Sequence, residues 1–282
     1  MDPETRRAVD VIREDRVHGA SWLARRALEV AGDAAALSPG ASVGEVAAAV
    51  ETAARMLIES RPGMAPIRNW LDRLLARLAE LAPRAGDVES FRRAVRREAG
   101  ELARQAGAAG SLAASRAAET MAPGERVFTA SHSATVDEAC RLAWRSGRLR
   151  QVFAAQSRSP DGRTYGEEVR EALAPAGISV TVVPDAGLAE WVRRASLVLV
   201  GADSVLRDGS VLNGTPTLAL ARAAREAGVP VRVVCEAAKR DRWTDAASLG
   251  SSGLETGFDL VPADLVDAVI TEEGLVAATS AG

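Results

Sequence analysis

Asp203, Asn213 and Lys239 fall within one stretch, Ser196 to Arg240, and their types suit work on a charged ligand. A carboxylate can exchange a proton, an amide can orient a hydroxyl, and an ammonium can hold an anion. Asp203 follows the apolar run Leu197–Val200 after only Gly201-Ala202. An acidic side chain directly after a buried strand sits at that strand's carboxyl end, the edge where open α/β sheets bind ligands. Lys239 stands in a similar relation to the strand expected over 229–235, with Glu236 between them. Of 35 basic residues, 34 are arginine and Lys239 alone is lysine. A chain that favours arginine so strongly, yet keeps one lysine at a strand end, points to a place needing a compact ammonium rather than a planar fork.

Other strand ends bring polar groups to the same edge. The first strand ends in Thr129-Ala130-Ser131-His132-Ser133, and the second in Gln156-Ser157-Arg158, with Arg163 further on. Hydroxyls ahead of the helix at Val136 face its free N–H groups. They either seat a phosphate or, as Ser133 or Thr135, cap the helix. His132 beside Ser131 and Asp203 would suit a hydrolase triad, but the chain has no G-x-S-x-G elbow. No glycine-rich dinucleotide fingerprint follows the first strand and no phosphate-binding P-loop occurs, which argues against a nicotinamide or nucleoside-triphosphate enzyme. Cys140 and Cys235 lack metal-ligand spacing and read as buried free thiols. With two histidines besides, neither a metal site nor a cofactor is expected.

The elements that must position these groups fall into two parts. Residues 1–121 carry helix signals, with helices expected over 6–15, 22–31 (capped by Ser21), 43–59, from Pro66 onward, and 88–120. Ile67, Leu71, Leu74, Leu75, Leu78 and Leu81 mark one apolar face. His18-Gly19 and Arg61-Pro62 are polar breaks in this helical part. After Met121-Ala122-Pro123-Gly124 the pattern alternates. Strands are expected over 126–130, 150–155, 179–183, 197–200 and 229–234, and helices over 136–146, 166–175, 186–194 and 217–227. A polar loop spans 207–213, Thr215 or Thr217 caps the last of these helices, and a final strand falls within 265–271. This order implies an α/β fold: a helical N-terminal domain (1–121), then a Rossmann-like parallel-sheet domain (122–282).

Composition sets the outer limits. With 282 residues and 47% apolar content, the chain can bury one large core or two smaller ones. A net charge of −3 without a basic or acidic tail gives no reason to expect nucleic acid. No apolar run approaches the ~20 residues of a membrane span. The opening MDPETRRAVD lacks a signal-peptide core, so a cytoplasmic protein with no membrane partner is expected.

The string GAD…DG…N…T…LALA…VPV.VVCE..K resembles one family. It unites methylthioribose-1-phosphate isomerases, archaeal ribose-1,5-bisphosphate isomerases and the α, β and δ subunits of eukaryotic translation initiation factor 2B. The resemblance covers nearly the whole chain. Val17-His18-Gly19-Ala20 resembles the family's basic-Gly-Ala turn, and Ser60-Arg61-Pro62 its Arg-Pro break. Phe128-Thr129-Ala130-Ser131-His132-Ser133 falls where the isomerases have Thr-His-Cys-Asn and the factor subunits a serine-rich version. Gln156-Ser157-Arg158 through Gly162-Arg163 is similar to an Arg-Pro…Gly-Arg segment, and Glu236…Lys239 and Phe258 to Gly274 also have counterparts.

This resemblance implies a phosphorylated small-molecule ligand and a homodimer or higher homo-oligomer. It places acid–base chemistry at Asp203 and at a cysteine position that here is Ser131. A thiol titrates near ~8.5 and can be tuned to exchange protons near neutrality, whereas a serine hydroxyl cannot unaided. His132 offers a base in its place. The family's Asn-Lys pair is Asn213-Gly214 here, and the arginine of its turn is His18. The retained cations are Arg61, Arg158, Arg163 and Lys239, so a changed ligand is implied. Two readings follow: an altered aldose–ketose isomerase of a pentose 1-phosphate, or a non-catalytic metabolite sensor or regulatory subunit of the initiation-factor type.

Overall fold

The computed structural model describes residues 2–158, 162–249, 254 and 256–277. They form two compact units, Met1–Ala108 and Ala109–Gly282. The first is helical: α1 Pro3–Glu14, α2 Ala20–Leu37, α3 Val43–Ser60, α4 Ala65–Leu81 and the first part of α5 Val88–Glu119. Local chemistry sets the starts. Asp2 accepts from the N–H groups of Glu4 and Thr5, and Ser42 and Glu45 close a capping box on α3. The apolar face expected on α4 is buried through Ile67, Leu71, Leu74 and Leu78. Arg92 donates to the carbonyls of Ala35, Ser38 (2.8 Å) and Gly40 (2.7 Å), satisfying the carboxyl end of α2. That helix begins one residue before Ser21 and runs six residues beyond Ala31, because Gly19 takes the cap position and alanines carry it on.

The second unit alternates. It contains β1 Glu125–Thr129, α6 Ala134–Arg145, β2 Leu149–Ala155, α7 Tyr165–Leu173, β3 Val180–Val183, α8 Leu188–Trp191 and β4 Leu197–Val200. It continues with β5 Ser204–Val205, β6 Val211–Gly214, α9 Thr217–Ala227, β7 Val231–Val234, α10 Ala246–Leu249, β8 Phe258–Val261, β9 Ala268–Thr271 and β10 Gly274–Ala277. The main sheet runs β10-β9-β7-β4-β1-β2-β3. Every pair is parallel except β10 with β9. The chain therefore winds outward from β1 through β2 and β3, then returns past β1 to β4, β7 and β9. This is the doubly wound order, with its reversal between β1 and β4.

Strand residues alternate between two cores. Phe128, Phe153, Val198, Val200 and Val233 pack on one face with Val192 and Leu220. Val127, Val152, Leu197, Leu199 and Val234 pack on the other with Ala139, Leu173 and Ile270. Burial on both faces is why β4 reads as an unbroken apolar run.

Three sequence expectations need correction. The loop expected over 207–213 contains strand β6, because Val211 and Leu212 are buried and pair with Val261 and Leu260 in a second, antiparallel sheet β5-β6-β8. The helix expected over 186–194 is α-helical only over α8, between 3-10 turns; so short a segment is held by Leu188 and Val192 in the core, not by its own propensity. Neither Thr215 nor Thr217 caps α9. Pro216 occupies the cap position, and Asp259 on β8 accepts the Leu218 N–H at 2.9 Å.

Among the described residues no helix is long and apolar enough to cross a membrane.

Phe128 is fully buried and tilts against Phe153 at 5.8 Å between ring centroids. Phe128→Ala is expected to destabilise the protein by about 3–5 kcal/mol. A urea melt followed by circular dichroism checks this, and an unshifted midpoint would remove the pair from the core's energetics.

Candidate functional site

The strand order reverses between β1 and β4, and in doubly wound sheets such a reversal marks the binding crevice at the strands' carboxyl ends, the edge from which the loops after β1, β2, β4 and β7 leave. Two of these loops turn through left-handed backbone at residues other than glycine: Ser131 has φ 62° and Ser157 φ 48°. Such a conformation costs about 1–3 kcal/mol and persists only where surroundings dictate it. Here a chain of bonds does so. The Ser131 N–H donates to Ser157 Oγ at 2.9 Å, and the Ser157 N–H donates to Asp185 Oδ1 at 2.9 Å. Ser157 is itself buried. The ends of β1, β2 and β3 are thereby tied together.

The same turn presses two serines against backbone. A Cβ on Gly214 would collide with Ser131 Oγ and lie 3.0 Å from Ser131 Cβ. A Cβ on Gly201 would lie 2.7 Å from Ser133 Oγ and 2.8 Å from its Cβ. Both positions must lack a side chain for the β1 loop to approach the ends of β4 and β6. Ser133 takes the N-cap conformation of α6 but makes no side-chain cap bond. Of the two roles weighed for it, capping is not the one its hydroxyl plays.

Asp203 is anchored by its own N–H, which donates to the Leu212 carbonyl at 2.8 Å. Asn213 is buried, with Nδ2 donating to Thr217 Oγ1 at 2.9 Å, and Thr217 Oγ1 donating to the Gly214 carbonyl at 2.6 Å. Lys239 is only 5% exposed, and its Nζ lies 3.4 Å from Glu236 Oε2. Burial alone would push the ammonium's pKa down. The carboxylates of Glu236 and Asp203 outweigh it and hold the group above its ordinary value. Asp203 and Lys239 therefore act on each other electrically. A buried ion pair is weak evidence for stability, since desolvation offsets much of its attraction. Beneath Lys239, burial pushes the Cys235 thiol up to about 12, and burial raises Cys140 well above the ordinary thiol range. Neither thiol exchanges protons near neutrality.

His132 turns toward the helices. Its Nε2 lies 2.9 Å from Asp137 Oδ2 on α6, and its Nδ1 lies 3.3 Å from Glu168 Oε2 on α7. The bond to Asp137 is the main cause holding the imidazole pKa above its usual value, against the effect of partial burial. Arg158 is exposed and bridges to Thr164. Arg163 places its guanidinium 5.3 Å from the Tyr165 ring centre, with Nη2 3.3 Å from the Tyr165 hydroxyl. The connecting residues 159–161 lie outside the described residues. Among the described residues no group of three or more His, Cys, Asp or Glu side chains is placed to hold a metal ion.

The remaining expected residues belong to the helical unit, where the structure brings His18 and Arg61 together on Asp15. Buried Arg61 donates from Nη1 to the Asp15 carbonyl at 2.5 Å. Asp15 Oδ1 accepts the N–H groups of Val17 (2.8 Å) and His18 (2.9 Å), and Oδ2 lies 2.8 Å from His18 Nδ1. Burial alone would lift this carboxyl's pKa, but those bonds hold it below its ordinary value. The His18 ring stacks on Trp22 at 3.7 Å, and Gly19-Ala20 start α2. Sequence reasoning missed Asp15, Ser157's bonding role, Asp185, Asp137 and Glu168. Asp185 carried a signal, since it follows the third strand directly through Pro184.

The sequence pattern of the initiation factor 2 subunit family matches residues 16–251. A Pyrococcus horikoshii protein described as eIF-2B subunit 2-like is 30% identical over 291 residues, covering 98% of this chain and 98% of its own. A Haloferax volcanii ribose 1,5-bisphosphate isomerase is 27% identical over 295 residues, covering 97% of this chain and 89% of its own. The crystal structure of the tetrameric eIF2B-beta2-delta2 complex from C. thermophilum contains a chain of the same fold. It has a TM-score of 0.83 at 24% identity and covers 99% of this chain and 92% of that one.

If Ser131 and Gly214 share their space as described, Gly214→Ala destabilises the protein by about 1–3 kcal/mol. The penalty shrinks in a Ser131→Gly background, which removes the colliding hydroxyl and tolerates positive φ. Denaturant melts of the four proteins of this cycle measure it, and equal penalties in both backgrounds would mean the positions do not touch.

Proposed function

We propose, because the chain belongs to the initiation factor 2 subunit family and its crevice sets a buried ammonium beside a carboxylate, that this protein binds a phosphorylated sugar at the ends of β1, β4 and β7. We infer further that it interconverts aldose and ketose forms of a pentose 1-phosphate, with Asp203 as general acid and base. The observation that carries this reading is buried Lys239, its Nζ 3.4 Å from Glu236 Oε2 just after β7, in the same sheet whose neighbouring strand β4 leads into Asp203. Lys239 and the guanidinium groups of Arg158 and Arg163 hold the phosphate. Asn213 orients a sugar hydroxyl.

A 1-phosphate keeps the sugar ring closed, so an acid must protonate the ring oxygen as its bond to carbon 1 breaks. Hydrogen then moves from carbon 2 to carbon 1, and the 2-hydroxyl gives up its proton to a base. The product is a ketone at carbon 2 with the phosphate still on carbon 1. All atoms and electrons balance within the sugar, so this chemistry calls for no redox partner. A carboxyl group can perform both proton steps if its environment tunes it. The protein works as a homodimer or larger homo-oligomer.

One observation favours the second reading, a metabolite sensor without catalysis. Ser131 offers no titrating group, both thiols are inert, and both His132 nitrogens are engaged by carboxylates. Asp203 would then have no partner in proton transfer.

Incubation with a panel of pentose 1-phosphates, including ribose 1,5-bisphosphate, followed by NMR of the products, separates the readings. Conversion supports the isomerase, binding without conversion supports the sensor, and no binding across the panel overturns both. Asp203→Asn is expected to lower turnover by at least about 100-fold while leaving the ligand's Kd within a few-fold. Full activity in that variant would remove Asp203 from the mechanism. Lys239→Met is expected to weaken binding at least about tenfold, as loss of a charge-assisted bond should.

A further inference from the structure

His132 lies between the two serines that press on the crevice's glycines, yet its ring is directed at α6 and α7. We propose that His132 is a positioning residue: as a cation bridging Asp137 and Glu168, it holds the Ser131–Ser133 turn against Gly214 and Gly201, so that ligand affinity falls when the imidazole loses its proton. The ligand half of this statement rests on the sugar-phosphate reading; the loop half stands without it.

The geometry carries the argument. Asp137 is 4% exposed in its side chain and Glu168 35%, and the imidazole reaches both at 2.9 and 3.3 Å. Two carboxylates can be served at once only by the doubly protonated ring, in which both nitrogens donate. Asp137 depends on that cation, because its Oδ1 is buried with no hydrogen-bond partner among the described residues. A neutral ring could donate to only one of the two carboxylates and would leave buried Asp137 without an opposing charge, which is costly. The strain would fall on the turn, since the Asp137 N–H donates to the Ser133 carbonyl at 3.0 Å. Ser131, on the other side, already holds a left-handed conformation through one bond to Ser157. Moving residue 132 therefore moves both hydroxyls at the switch point.

The groups acting on the ring are Asp137 and Arg141 from α6 and Glu168 from α7. Arg141 opposes the cation weakly. Its Nε is held by Glu138 at 3.0 Å, and its Nη1 reaches the Ala172 carbonyl at 3.4 Å, a second stitch between the two helices. The sign follows from a raised imidazole pKa. The stabilisation is complete below the ordinary value near ~6.5 and is lost as pH rises through the higher folded value. Nearby groups leave the window clear. Lys239 is held above its ordinary value, so it stays charged, and both thiols stay protonated. A phosphate monoester loses its second proton near ~6, so its charge is constant above about pH 7.

The test has two arms. In the protein without ligand, NMR follows the His132 ring and the Ser131 and Ser133 amides from pH 5.5 to 9.5. The amides are expected to shift with the ring's own midpoint, and amides that ignore it would overturn the proposal. In the second arm, calorimetry measures binding of ribose 1,5-bisphosphate from pH 7 to 9.5. Wild type is expected to weaken about tenfold, equivalent to ~1.4 kcal/mol. His132→Arg, permanently charged, is expected to stay flat, and His132→Gln to bind weakly throughout. Wild-type affinity in His132→Gln would overturn the positioning role. Absence of binding in every protein would overturn the sugar-phosphate reading instead, and the amide shifts then decide the loop coupling alone. Should a variant fail to fold, the wild-type titration still decides.

Discussion

Close approach of side chain to backbone at the β1–β4 reversal is the constraint on which the rest of the site depends. Ser131 and Ser133 come so near Gly214 and Gly201 that neither glycine could carry even a methyl group without displacement. That approach requires Ser131 to turn left-handed, which requires Ser157 to accept its N–H, which in turn places Ser157 in left-handed backbone bonded to Asp185. Three strand ends are locked by a few short polar side chains. A ligand arriving there would meet a surface whose donors are already aimed, which limits the ordering it must impose.

Electrostatics then decide what such a surface can hold. Two carboxyl-bearing clusters follow strand ends of the main sheet and do different things. Glu236 and Asp203 keep Lys239 charged at a place of little solvent, so a compact cation is available to an anion. Asp137 and Glu168 both engage the His132 ring, one from each of two helices, and so join α6 to α7. A histidine that sequence alone offers as a base is thus engaged elsewhere. The inertness of Cys140 and Cys235 has the same origin: burial in apolar surroundings penalises the thiolate.

The helical unit reads in similar terms. Its turn from Asp15 to Ala20 and its break at Arg61 are far apart in sequence, and one aspartate organises both. The sequence marked His18 and Arg61 as polar interruptions among apolar helices, and the resemblance to a family gave them a role. Asp15 went unnoticed because a lone acidic residue near a helix end looks like ordinary solvated charge. Only the count of bonds converging on it sets it apart.

Much was legible without coordinates because it is periodic or local. An unbroken apolar run announced β4, and shorter apolar stretches announced β1, β2 and β7. Three-and-four spacing announced α4, and Gly228 with φ 69° ends α9 where the pattern stops. The carboxyl-end placement of Asp203 and Lys239 followed from the same runs. What the sequence could not decide was every relation between residues distant along the chain. Asp259 caps α9 from 41 residues away, and β6 becomes a strand only because β8 pairs with it. His132 faces Glu168, not the crevice, because α7 packs beside it. Propensity and pattern are properties of neighbours in sequence, so they fix elements and their ends. Hydrogen bonds, burial and charge are properties of neighbours in space, so which way His132 points and what keeps Lys239 ionised were settled only by the folded chain.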